Sequence, residues 1–191
     1  MITRRLMLAA PALLAACALR SGPPQPGTVT QARALASGIT QLGASVDPTE
    51  AQRAATVAYA ETHRLALAYQ ITDSPLIHNA KVNAGTRPRG LCWHWAEDME
   101  ARLNAEGFTT LALHRAIANA DSRVRIDHST AIIAPAGAPW RDGMVLAPWR
   151  KGGVLFWSPL ADDDRYVWVE RSVVLKERYS ELYAIYGDAI L

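Results

Sequence analysis

The chain has 191 residues, half of them apolar, which is enough to bury one ordinary core and sets the expectation of a single domain. Its 20 basic and 18 acidic side chains leave a formal net charge of +2, so it carries no electrostatic footprint for nucleic acid. No metal or cofactor is expected: Cys92 and His94 stand two apart with no second pair at ligand spacing, and Lys151-Gly152-Gly153 lacks the strand-loop-helix context of a phosphate loop.

In chain order, Met1-Ile2-Thr3-Arg4-Arg5 is a basic start, residues 6–14 are an apolar run too short to span a bilayer, and Leu14-Ala15-Ala16 precede Cys17. This order resembles a bacterial lipoprotein signal, with Leu14-Ala15-Ala16-Cys17 as the lipobox. The resemblance implies that residues 1–16 are a signal peptide, that cleavage falls before Cys17, and that lipid on the Cys17 sulfur anchors the protein to a membrane. Ala18 in place of Asp implies, by the same resemblance, the outer membrane, facing the periplasm. A plain secretory signal cut after a small residue also fits, with Cys17 then incidental. Residues 17–28, rich in Pro and Gly, read as a flexible tether, and 29–191 as the folded domain.

A first helix is predicted over 29–42. Asp47-Pro48-Thr49-Glu50 is a capping box with proline at the first helical position, and it opens a second helix that turns Val57, Ala58, Leu65, Ala68 and Tyr69 toward the core. Residues 72–89, which include Asp73, Ser74, Pro75, Asn83, Gly85 and Pro88, are expected to form a loop. Cys92, Trp95, Ala96, Met99 and Leu103 then recur at helical spacing and stop before Gly107. Cys92 thus falls in a first turn, where unpaired backbone N–H groups and the helix dipole favour a thiolate. The same stripe fits a buried cysteine that only fills the core. If Cys17 is lipidated, Cys92 has no disulfide partner in its own chain.

After that helix the pattern changes to period two. Residues 109–118 put Leu111, Leu113 and Ile117 on one face, 119–122 turn, and 124–134 put Val124, Ile126, His128 and Ile132 on one face. Further strands are predicted over 144–149, 154–157 and 166–169, with Asp162-Asp163-Asp164 as an exposed turn. A closing helix carries Leu175, Tyr179, Leu182 and Tyr186 and stops at Gly187. Helices first and an antiparallel sheet afterwards make the fold α+β. The Cys92 helix is the natural cover for the face that bears His128, and an imidazole there could take the thiol proton. A satisfied core histidine is the other reading. His94 is expected off the helix stripe, His114 away from Leu111 and Leu113, and His63 and His78 without partners.

Gly90-Leu91-Cys92 with His94-Trp95-Ala96, then Asp127-His128-Ser129 with Ala131, then Val145-Leu146 with Pro148-Trp149 resemble, in that order, the transglutaminase-like branch of the papain-like cysteine peptidase superfamily. The resemblance spans residues 75–168. It implies a Cys-bearing helix packed on an antiparallel sheet, Cys92 as nucleophile and His128 as general base toward a peptide or glutaminyl amide. The family's third catalytic residue, an Asp or Asn before Pro-Trp, falls at Ala147. Asp127 has the opposite strand parity from His128, and Asp142 lies about 17 Å along the strand, so neither replaces it. In serine triads, loss of the orienting acid costs on the order of 10⁴ in rate. Two functions follow: a lipid-anchored cysteine hydrolase or acyltransferase with a peptide or protein substrate, or a non-catalytic fold that binds peptide, glycan or protein. Asn83, Trp93 and Trp149 are the candidate groove residues. A purely structural envelope lipoprotein gives no reason for a Cys92 facing His128.

Overall fold

The structure, a computed structural model, describes residues 22–186, with side chains through residue 180. The signal peptide, Cys17 and the Gly187 stop lie outside the described residues. Among the described residues, five α-helices and one antiparallel five-stranded sheet make an α+β fold.

Two helices form a hairpin of small residues. α1 (Val29–Thr40) starts where the Thr28 hydroxyl accepts from the Gln31 amide and the Gln31 side chain accepts from the Thr28 amide. α2 (Pro48–Ala68) starts where Asp47 accepts from the Thr49 and Glu50 amides. Ala32, Leu35, Ala36 and Ile39 meet Ala51, Ala54, Ala55 and Ala58, and short side chains at that seam let the two backbones approach closely. The capping box expected at Asp47 forms only by half. Glu50 turns away and accepts from the amides and hydroxyls of Thr109 and Thr110 at 2.6–3.0 Å. Those bonds, that of Thr110 foremost, hold its carboxyl down at about 2 and pin α2 to the start of the sheet.

The segment expected as a loop over 72–89 contains α3 (Pro75–Asn83), with Ser74 before it and Pro75 at its first position. His78 is its one buried side chain, so its apolar stripe is too thin to register as periodic. α4 (Cys92–Asn104) runs as predicted and buries Cys92, Trp95, Ala96, Met99 and Leu103. A fully buried Leu or Met contributes roughly 1.5–3 kcal/mol, so this stripe is a main source of stability.

The sheet orders its strands β4-β3-β2-β1-β5: β1 (Leu111–Ala118), β2 (His128–Pro135), β3 (Met144–Leu146), β4 (Trp157–Pro159) and β5 (Trp168–Glu170). β2 is shorter than predicted. Val124 and Ile126 are exposed and belong to the loop before it. Met99 and Leu103 of α4 pack with Ala131 and Ile133 of β2, and with α1 and α2, on one face of the sheet. The other face carries Ala116, Ala118, Ile132, Val145, Ala147 and Trp168, covered by Trp140, Phe156, Leu160 and Tyr166 from the connecting loops. The last helix, α5 (Arg171–Tyr186), packs against β1 and β5.

This arrangement corrects the expected cover. Side chains alternate along a strand, and the α4 face takes Ser129, Ala131 and Ile133, which leaves His128 and Ile132 on the face away from α4. Asp162-Asp163-Asp164 is corrected too, because Asp163 is buried between its two exposed neighbours.

Candidate functional site

The entry to α4 is fixed by three side chains. His78 Nε2 donates to the Arg89 carbonyl at 2.9 Å, Trp95 Nε1 donates to the Gly90 carbonyl at 3.1 Å, and His94 Nδ1 accepts from the Gly90 and Leu91 amides at 3.1 and 3.2 Å. His94, expected to point off the stripe, is buried because it serves as this cap. Gly90 has φ +124°, and a Cβ there would lie 2.3 Å from His78 Nε2, so only glycine fits both the backbone and the imidazole.

These contacts set Cys92 at the helix start. The thiol is buried and donates to the Asp127 carbonyl at 3.4 Å. Burial pushes its pKa up; the amides of Ser129 and Trp93 pull the other way and do not prevail. Burial therefore works against the thiolate expected from the helix N-terminus. Beside the sulfur runs a groove of about 740 Å³ whose lining includes Leu76 and Asn83 of α3, Trp93 of α4, Arg115 of β1 and Leu175 and Arg178 of α5. Arg115 donates to the Trp93 carbonyl at 3.2 Å and to Ser129 Oγ at 3.4 Å, and Arg178 pairs with Asp127 at 2.5 Å.

His128 stands in different surroundings. Its ring lies 4.7–5.3 Å from the rings of Trp149, Tyr166 and Trp168, and its Nε2 accepts from Arg150 Nε at 3.4 Å. Arg150 is clamped by Asp163 through two bonds, at 3.1 and 2.6 Å, and Trp168 Nε1 donates to the same carboxylate at 2.9 Å. Phe156, Tyr166 and Trp168 surround the guanidinium at 4.4–5.6 Å. Burial, followed by the Arg150 charge, pushes the imidazole down to about 3, so it is neutral at pH 7. Among the described residues, no hydrogen bond joins its ring to the Cys92 sulfur.

Ala147 is buried on the same sheet face as His128, but the register pairs Ala131 with Leu146, and its continuation sets Trp149, not Ala147, beside His128. The imidazole's polar neighbour is thus a cation, with the carboxylate of Asp163 one step behind it. The structure brings Cys92, Trp93 and Asn83 together in one groove, and His128 and Trp149 together in another cavity. Sequence reasoning missed Arg150 and Asp163. The signal within reach was Arg150 itself, directly after Pro148-Trp149; the middle Asp of three gives no sign of burial. Searches with the chain find no matching family model, no matching curated protein and no matching solved structure.

Proposed function

We propose that this chain is a lipid-anchored cell-envelope protein that keeps a transglutaminase-like, papain-like arrangement of a Cys-bearing helix on an antiparallel sheet, and that it binds a peptide or protein segment in the Cys92 groove without cleaving it. The observation that carries this reading is the separation of Cys92 and His128 onto opposite faces of β2, the imidazole held by Arg150 and by three aromatic rings. A general base must come within about 2.6–3.2 Å of the proton that it takes, and the Cys92 proton is instead directed at the Asp127 carbonyl.

The groove suits a peptide. Trp93, Leu76 and Leu175 supply partly exposed apolar surface, and Asn83 supplies a carboxamide able to donate and accept as a peptide backbone requires. Selection from a displayed random peptide library against the folded chain, followed by mass spectrometry of the bound peptides, tests this. Binders that remain intact and that lose at least tenfold in affinity with Trp93→Asp are expected. Cleaved peptides, or binding indifferent to Trp93→Asp, would overturn it.

A further inference from the structure

Behind the sheet from Cys92, a second cavity of about 640 Å³ opens among Arg125, His128, Trp149, Arg150, Arg165 and Tyr166, and no carboxylate is among its lining residues. The cavity shares only Leu76 and Ile126 with the Cys92 groove, so what it binds does not depend on the peptide reading.

Three arginines converge there with unequal fates. Arg150 is neutralised by Asp163. Arg165 lies 5.7 Å from the Tyr166 ring centre, and neither it nor Arg125 enters an ion pair among the described residues. Both are exposed at the mouth and form no ion pair there, with Asp121, Asp164 and Glu177 lining the neighbouring cavity on their other side. His128 lies on the cavity wall with its ring buried. A guanidinium only donates, so the Nε2 that faces Arg150 accepts, and the single proton of the neutral ring then resides on Nδ1. That N–H is buried and has no acceptor among the described residues. Trp149 and Tyr166 line the cavity with aromatic surface, their ring centres 4.9 and 4.7 Å from that of the imidazole.

Guanidinium forks outside any ion pair, in a cavity without a lining carboxylate, select an oxyanion, and aromatic walls select a flat body to carry it. We propose that this cavity binds a carboxylate or phosphate borne on a ring, with Arg125 and Arg165 gripping the oxyanion and Trp149 and Tyr166 packing against the ring.

Calorimetric and tryptophan-fluorescence titration of the detergent-solubilised full chain tests this, with benzoate, phenyl phosphate, inorganic phosphate and the neutral benzamide as probes. At least one aromatic anion should bind tenfold or more tighter than benzamide and than inorganic phosphate. A preference for benzoate identifies a carboxylate ligand, and a preference for phenyl phosphate a phosphoester. The double variant Arg125→Gln/Arg165→Gln should lose at least tenfold in affinity for the anion while its thermal midpoint stays put, since both side chains are exposed. Benzamide binding as tightly as the anions overturns the proposal from the wild-type protein alone, whether or not the variant folds. So does anion affinity that persists in a folded double variant.

Discussion

Cys92 and His128 are both buried and both lie at the same end of the sheet, yet their surroundings have opposite chemistry. On the α4 side, a thiol donates to a backbone carbonyl and borders a groove whose aliphatic and aromatic walls are interspersed with Arg115, Arg171 and Arg178. On the far side, an imidazole accepts from a guanidinium that is itself locked to a buried carboxylate. One residue of strand parity separates the two, because Ser129 shares the face of Cys92 while His128 takes the other. A cysteine and a histidine in the right order along the chain therefore do not amount to a dyad; the face that the helix covers decides.

The largest expected effect breaks the far side. Asp163→Ala leaves Arg150 buried without its counter-charge, and losing one partner of a buried pair costs about 3 to 5 kcal/mol. Urea unfolding should show that loss, while the Cys92 side keeps its iodoacetamide labelling rate under native conditions. A cost below about 1 kcal/mol would mean that the pair is not desolvated.

Acid should act on the same side. The unfolded chain protonates His128 below about pH 6.5, whereas the folded chain does so only near 3, so the stability tied to the neutral ring is complete above the ordinary histidine range and drains as pH falls toward 3. The loss amounts to up to about 4 kcal/mol at pH 3. Glu50 adds to it lower down, since its depressed carboxyl gives stability that is present above the ordinary carboxylate range and lost on the way to about 2. Urea midpoints measured from pH 7 to 4, above most of the Glu50 contribution, should slope downward in the wild type and flatten in His128→Leu. Equal slopes would place the proton uptake elsewhere.

Smaller effects sharpen the Cys92 side. Gly90→Ala forces a side chain into positive φ and against His78, which should cost about 2 kcal/mol and loosen the loop that seats Cys92. Faster thiol labelling should accompany the loss. Ala147→Asp should leave that labelling rate within about twofold of wild type, because position 147 shares the His128 face and not the sulfur's. A marked gain in thiol reactivity would show that the two faces communicate.

Much of this was legible in the chain. The α4 stripe, the proline-led start of α2 and the alternation of β1 are local patterns, and local patterns determine where elements form. The parity of His128 with Ile132 was readable as well. What could not be read is which face a helix covers, since α4 packs on Ala131 and Ile133 through contacts with α1 and α2 that have no period in sequence. Glu50 is a similar case: its spacing spells a capping box, but Thr109 and Thr110, some 60 residues away, offer four donors and win. α3 escaped notice because only His78 faces inward, and Asp163 because burial of one acid between two exposed ones depends on Arg150 and Trp168.

The separation of thiol from imidazole is tested most directly by the pH dependence of iodoacetamide alkylation at Cys92 in the folded protein, with Cys92→Ala as the blank and His128→Gln beside the wild type. The expected profile has its midpoint above the ordinary thiol value of about 8.5 and is the same in both, since burial raises the thiol and His128 faces the other way. A wild-type midpoint below about 7 that moves up in His128→Gln would contradict it, and would make the pair a working dyad.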